Sequence, residues 1–238
     1  MEENKMKILA VNGSPNGKGG NTEIILKNFL KGCSKAGSDT ETIYLKDKNI
    51  HHCRGCFTCW TKTPGKCIYN DDMAEIINKI IECDVIVFAT PLYYFTVTGL
   101  MKDFMDRSLP IMKGTILEKG QKYFHPGRYR ILQPKIVLIS NCGFPGKYNF
   151  SGLFETFKVM CGGKIDASIL CDKCGGLTAY KHNDTLKKLY ESFFNALVNA
   201  GEEFVTYGYI KSDTQALIES DFVDTKTYIE NANRSWIS

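Results

Sequence analysis

A chain of 238 residues, 43% hydrophobic and 24% charged, is long enough to bury one substantial core and too ordinary in composition for a disordered or fibrous class. Its formal charge of +4 is mild and its basic residues are interleaved with acids, so no nucleic-acid partner is expected. No stretch reaches the about 18 apolar residues of a bilayer crossing, and Met1-Glu2-Glu3-Asn4-Lys5 lacks the basic and apolar regions of a secretory leader, so a cytoplasmic protein without a membrane partner is expected.

Lys7 to Asn12 is a short β-rich apolar run that ends in Gly13-Ser14-Pro15, which reads as a buried strand entering a loop. From Thr22, the residues Ile24, Ile25, Leu26, Phe29 and Leu30 keep helical spacing behind an Asn21 or Thr22 cap. Glu41 to Leu45 is a second strand. Periodicity is then lost from His51 to Asn70, a segment loaded with Cys, Gly and Pro. A helix opens at Asp71 and runs through Ile76, Ile77 and Ile80, and Asp84 to Thr90 is a third, continuously apolar strand.

Pro91-Leu92-Tyr93-Tyr94 follows that strand and precedes a helix from about Thr98 to Ser108. The stretch 110–133, rich in Gly, Lys and aromatics, reads as an insertion rather than a core layer. Lys135 to Ser140 is the fourth strand, Ser151 to Met160 a helix, Lys164 to Cys171 the fifth strand and Asp184 to Ala200 a closing helix. Alternating strands and helices, with strands apolar on both faces, imply an α/β fold: a five-stranded parallel sheet covered on both sides. A single domain over 1–207 is expected, with an extension over 208–238 that is either a docked helix or an arm toward a second copy.

The loop Gly13-Ser14-Pro15-Asn16-Gly17-Lys18-Gly19-Gly20-Asn21-Thr22 joins the first strand to the first helix, where backbone N–H groups and the helix dipole converge on an anion. Ser14, Asn16, Asn21 and Thr22 offer neutral donors, and the glycines allow close backbone approach, so a monoester phosphate is expected there. The Gly-Lys-Ser/Thr ending of a triphosphate loop and the Gly-x-Gly-x-x-Gly spacing of a dinucleotide fold are both missing.

Gly13-Ser14-Pro15 with Gly20-Asn21-Thr22 resembles the phosphate loop of the NADPH-dependent FMN reductase family. Thr90-Pro91-Leu92-Tyr93-Tyr94, followed by Thr98-Gly99-Leu100-Met101-Lys102 and Phe104-Met105-Asp106-Arg107, is similar to the second signature of that family. The resemblance covers roughly the first 110 residues, and topology carries it through the rest. It implies a flavodoxin-like three-layer sandwich with strand order 2-1-3-4-5. It also implies FMN as cofactor, reduced by NAD(P)H, and a small-molecule or protein electron acceptor. Pro91, Leu92, Tyr93, Tyr94 and Phe95 would line the flavin ring, with Asn141, Cys142 and Gly143 approaching its other side. Hydride chemistry of this kind requires no side-chain acid or base, so no catalytic side chain is assigned. Arg107, late in its helix, reads as a charge near the site or, at least as readily, as a surface or interfacial salt-bridge residue.

Ten cysteines in a reducing compartment point to metal binding or redox work before a disulfide framework. Cys53, Cys56, Cys59 and Cys67 place four thiols in one short loop, a spacing able to ligate a [4Fe–4S] cluster. The motif resembles that of the iron-sulfur flavoproteins, although its last gap is longer and contains Pro64-Gly65. Unmetallated thiols and a zinc site are the alternatives. His51 and His52 beside it read as exposed, Cys171 and Cys174 as packing or a dithiol, and Cys33, Cys83 and Cys161 as packing.

Two functions follow as expectations. One is an NAD(P)H-dependent FMN reductase; the other is an electron carrier relaying electrons between FMN and a cluster, and a plain binding module on the same fold is a third reading. The aromatic residues Tyr123, Phe124 and Tyr129 of the insertion suggest a contact with a second copy of the chain.

Overall fold

The computed structural model describes residues 5–129 and 134–235, so the end of the expected insertion, 130–133, lies outside the described residues. The elements are β1 (Lys7–Asn12), α1 (Asn21–Lys35), β2 (Asp39–Tyr44), α2 (Met73–Glu82), β3 (Val85–Pro91), α3 (Gly99–Asp106), β4 (Leu117–Lys119), β5 (Lys122–Phe124), β6 (Lys135–Asn141), α4 (Ser151–Met160), β7 (Ala167–Cys171), α5 (Asp184–Tyr207), α6 (Ser212–Ile218) and α7 (Thr225–Ser235).

Five strands form one parallel sheet in the order β2-β1-β3-β6-β7. Setting aside the small hairpin β4-β5, this is the expected 2-1-3-4-5 order of a flavodoxin-like sandwich. The two-residue period of a strand divides each apolar run between two cores. Ile8, Ala10, Val85, Val87, Ala89, Val137 and Ile139 face α1 and α5. Their neighbours Leu9, Val11, Ile86, Phe88 and Leu138 face the layer that holds α2, α3 and α4. Burial on both sides explains why these strands read as continuous apolar runs rather than as alternating patterns.

The last strand starts later than its sequence suggests. Asp166 ties it down instead: its N–H donates to the Ile136 carbonyl at 2.9 Å, and its carboxylate accepts from the Ile136 N–H at 2.8 Å. The closing helix α5 runs on past Ala200 to Tyr207, where Gly208 takes φ 82° and ends it. Beyond it, α6 packs Ile218 into the α1/α5 core, whereas α7 buries no residue.

Helices α1 and α5 touch backbone to backbone. A β-carbon on Gly32 would lie 1.9 Å from the Val198 carbonyl oxygen, and one on Gly201 would lie 2.0 Å from that of Phe29. Only glycine permits that approach.

Candidate functional site

The carboxyl ends of β1, β3 and β6 lie side by side, with Asn12 opposite Ala89 and Pro91 opposite Asn141. Loops leaving a parallel sheet at this end meet in a crevice, the ordinary place for a ligand in such folds. The phosphate loop leaves β1 through a closed set of local bonds. The Ser14 N–H donates to Asn12 Oδ1 at 2.9 Å, the Asn16 N–H to Ser14 Oγ at 3.2 Å and the Gly17 N–H to the Ser14 carbonyl at 3.0 Å.

Close packing fixes this loop from below. Thr98 Oγ1 donates to the Gly13 carbonyl at 2.7 Å and accepts from the Met101 N–H at 3.2 Å, so the cap of α3 also holds the loop. A β-carbon on Gly13 would lie 2.9 Å from Met101 Cβ, and one on Gly20 would lie 3.0 Å from Asn16 Cβ and Ser14 Oγ. Helix α1 begins at Asn21 with no side-chain cap, which leaves its first-turn amides for an anion.

The four expected phosphate donors are not equivalent. Ser14 and Thr22 are buried, and Thr22 Oγ1 donates to Asn141 Oδ1 at 2.7 Å, linking α1 to the end of β6. Asn21 accepts from the Thr178 N–H at 2.9 Å and reaches the Gly175 carbonyl at 3.4 Å, so its amide braces the loop after β7. Asn16 stays exposed on the loop. Two of the four side chains, Asn21 and Thr22, are thus committed to bracing the crevice.

Asn12 and Thr98 escaped the sequence reading of the site. Asn12 is fully buried and also donates to Glu23 Oε2 at 3.0 Å, while Tyr44 donates to Glu23 Oε1 at 2.9 Å. Burial and the adjacent Glu23 carboxylate push the Tyr44 phenol up to about 12. An amide at the end of an apolar strand and a Thr-Gly start to a helix were the available signals.

The loop after β3 turns within four residues. Tyr93 and Thr96 exchange backbone hydrogen bonds of 3.0 Å in both directions. Between them Tyr94 and Phe95 take φ values of 49° and 63°, left-handed conformations that cost on the order of 1–3 kcal/mol each at residues with a β-carbon. The turn presents Tyr94 at 97% exposure, with Tyr93 and Phe95 about half exposed. On the other wall, the Leu92 N–H donates to the Asn141 carbonyl at 2.8 Å. Cys142 is buried, its thiol directed to the Phe144 carbonyl at 3.3 Å, so it offers the crevice backbone rather than sulfur.

The cysteine loop lies over α3 and is pinned from beneath by Arg107. That residue is 2% exposed, which overturns its reading as a surface or interfacial salt bridge. Its guanidinium bonds Asp71 and the His51 carbonyl. His51 pairs with Asp71 and His52 with Asp103, while both imidazoles keep solvent contact. The same loop is held from the far side: Trp60 Nε1 donates to the Leu109 carbonyl at 2.8 Å, and from within the 110–133 stretch Arg128 bridges the carbonyls of Pro110, Met112 and Cys59.

Cys53 and Cys56 are exposed, Cys67 is half-buried and Cys59 is buried, all with free thiols. Hydrogen bonds from Thr58, then from Arg54, lower the Cys56 thiol to about 7, whereas burial and the neighbouring thiols raise Cys59. Among the described residues, no group of three or more His, Cys, Asp or Glu side chains converges as a metal-ligand set. The donor chemistry suits a soft metal or cluster, while the four side chains as placed do not converge on one point. No helix among the described residues is long and apolar enough to cross a membrane.

The protein is similar to known flavin proteins at two levels. An iron-sulfur flavoprotein from Archaeoglobus fulgidus is 42% identical over 103 residues, 43% of this chain and 49% of that protein. The chain spans about half the length of the curated relatives it matches. In structure it resembles an FMN-dependent NADH-azoreductase from Bacillus anthracis solved in complex with FMN, with TM-score 0.59 and 15% identity over 84% of this chain and 99% of that one. It also resembles an NAD(P)H:quinone oxidoreductase from Methanothermobacter marburgensis, with TM-score 0.58 and 16% identity over 84% and 97%. These two likenesses establish the fold. The family model for NADPH-dependent FMN reductases matches residues 6–138, more than half of the chain and the whole span from β1 into β6. The chain belongs to the NADPH-dependent FMN reductase family.

Proposed function

We propose that the protein is an FMN-binding oxidoreductase that takes hydride from NAD(P)H and passes electrons to a small-molecule or protein acceptor in the cytoplasm. The observation that carries this reading is the β1–α1 loop: two glycines whose β-carbons would clash, closed around an uncapped helix N-terminus at the sheet's switch point. That cradle fits a phosphate monoester. Ser14, Asn16 and the first-turn amides of Asn21 and Thr22 would hold it, with the Asn21 and Thr22 side chains bracing the rim.

Pro91 to Phe95 and Asn141 to Gly143 would flank the ring. The exposed Tyr93, Tyr94 and Phe95 give it an apolar wall, and backbone amides give its polar edge hydrogen-bond partners. When bound, FMN supplies the hydride and single-electron chemistry, and the chain's own part is to bind, orient and shield. The exposed aromatics of the β4-β5 hairpin, Tyr123 and Phe124, support a homo-oligomer.

Anaerobic purification followed by an absorption spectrum and an FMN fluorescence titration tests the reading, with NADH and NADPH oxidation assayed on the reconstituted protein. Flavin bands, saturable FMN binding and pyridine-nucleotide oxidation are the expected results. Failure to retain or bind FMN would overturn it.

A second reading is favoured by the four thiols of the 51–70 loop and by relatives named iron-sulfur flavoproteins. In it, Cys53, Cys56, Cys59 and Cys67, which do not converge as placed here, would draw together to hold a [4Fe–4S] cluster that supplies electron transfer. Iron and sulfide assays on the same sample decide it, with about four irons per chain expected for a cluster.

A further inference from the structure

The carboxyl end of β7 carries a second group of thiols that flavin binding does not use. Cys171 ends the strand, Cys174 follows three residues later, and both are buried beside Cys142, which follows the neighbouring strand β6. Backbone bonds lace the three together. The Cys142 N–H donates to the Cys171 carbonyl at 2.9 Å and the Cys174 N–H to the Cys142 carbonyl at 2.8 Å. Lys173, between the pair, takes φ 55°, a left-handed turn at a residue with a β-carbon. The chain folds back there, and the Cys174 thiol donates to the Asp172 carbonyl within the same turn at 3.4 Å. Cys142 points its own thiol elsewhere, to the Phe144 carbonyl.

A strap covers this turn. Lys173 Nζ pairs with Asp221 and lies 3.4 Å from both the Val223 carbonyl and Thr225 Oγ1. Tyr228, on α7, donates to the Gly143 carbonyl at 2.8 Å and accepts from the Gly175 N–H at 3.1 Å. Its hydroxyl sits so close that a β-carbon on Gly175 would lie 2.7 Å from it. Since α7 buries no residue, a few polar contacts carry its attachment, and such segments open locally without global unfolding.

We propose that Cys171 and Cys174 are a redox-active dithiol, a two-electron site that reduces disulfide substrates when the 221–235 segment lifts. The Cys171 thiol gives up its proton as it attacks one sulfur of the substrate disulfide, forming a mixed disulfide and releasing the first product, which leaves as a thiolate and takes up that proton. The Cys174 thiol then gives up its proton and attacks the Cys171 sulfur, closing the Cys171–Cys174 disulfide and releasing the second thiol. One disulfide bond breaks and one forms, the substrate gains the two electrons the dithiol loses, and both protons leave on the products.

The roles follow from the surroundings. The neighbouring Cys171 thiol, then burial, raise the Cys174 thiol above its ordinary value, so Cys174 keeps its proton, which points to the Asp172 carbonyl, and the Lys147 ammonium favours negative charge nearby. The Cys-x2-Cys spacing closes a disulfide within one turn. This exchange needs no flavin, so the proposal stands apart from the preceding reading.

The full chain equilibrated in buffers of reduced and oxidised glutathione, then acid-quenched, alkylated and mapped by mass spectrometry, tests it. The expected result is a Cys171–Cys174 peptide lighter by two hydrogens, with Cys174→Ser trapping glutathione on Cys171. Tyr228→Phe removes the strap's donated bond and is expected to speed oxidation by at least about threefold while leaving thermal unfolding unchanged. If Cys174→Ser does not fold, the wild-type map and Tyr228→Phe decide the question. The proposal is overturned if both thiols stay reduced while the exposed cysteines oxidise, if Cys174 pairs with Cys142, or if oxidation keeps pace only with global unfolding in denaturant.

Discussion

Arg107 grips Asp71 with two hydrogen bonds, Nη1 to Oδ2 at 2.7 Å and Nη2 to Oδ1 at 2.9 Å, and both side chains are essentially out of solvent. The same Nη1 donates to the His51 carbonyl at 2.7 Å, so the residue that ends α3 ties down both ends of the cysteine loop. A buried pair adds little over an apolar substitute, but removing one partner strands a charge. Arg107→Met is therefore expected to lower stability by about 3–5 kcal/mol in urea unfolding, with amide exchange in 51–71 rising first. An unchanged denaturation midpoint would show that the loop is held by other contacts.

The pair also sets a pH dependence. Burial works to raise the Asp71 carboxyl, but hydrogen bonds from Arg107 and His51 outweigh it and hold the group well below the usual carboxylate range. A depressed folded pKa gives stability that is full above the unfolded value of about 4 and is lost as pH falls through the folded value. Asp71→Asn is expected to destabilise most at pH 7 and progressively less below about pH 4. A gap from wild type that stays constant between pH 7 and pH 3 would contradict the ionic role.

The α1–α5 contact predicts a steep steric response. Gly32→Ala places a methyl on the Val198 carbonyl and is expected to cost about 1–3 kcal/mol or more, read as a lowered thermal midpoint. Gly99→Ala, at the exposed start of α3 with nothing within 4 Å of the new carbon, is the contrasting variant and is expected to be neutral or slightly stabilising. Equal losses in the two variants would mean that the close helix approach is not what glycine serves.

Strain in the Tyr94–Phe95 turn separates stability from binding. Tyr94→Gly relieves the left-handed φ of 49° and is expected to raise stability by about 1 kcal/mol. The same change removes an aromatic wall, so FMN affinity by fluorescence titration is expected to fall several-fold. Tighter FMN binding in the variant would remove Tyr94 from the ring contact.

Much of the architecture was legible along the chain because a parallel sheet buried on both faces writes itself as short apolar runs. Ile8 to Val11 and Val85 to Ala89 needed no partner to be recognised as strands, and Gly13 through Asn16 with its following glycines marked the turn between the first strand and the first helix. Helix α7 offered no such signal, because it buries nothing and is held by polar contacts with Lys173, Gly143 and Gly175.

The sequence by itself determined the order of strands and helices, the loop fit for a phosphate and the presence of four thiols in one segment, since each depends on local pattern. Only the tertiary structure decided that Arg107 is a buried anchor, that Thr22 is spent on Asn141, and that Cys142, Cys171 and Cys174 come together. Those relationships join residues separated by 29 positions or more along the chain, as between Cys142 and Cys171. They arise from parallel register, which sets Asn141 opposite Cys171 and so stacks the loops that follow.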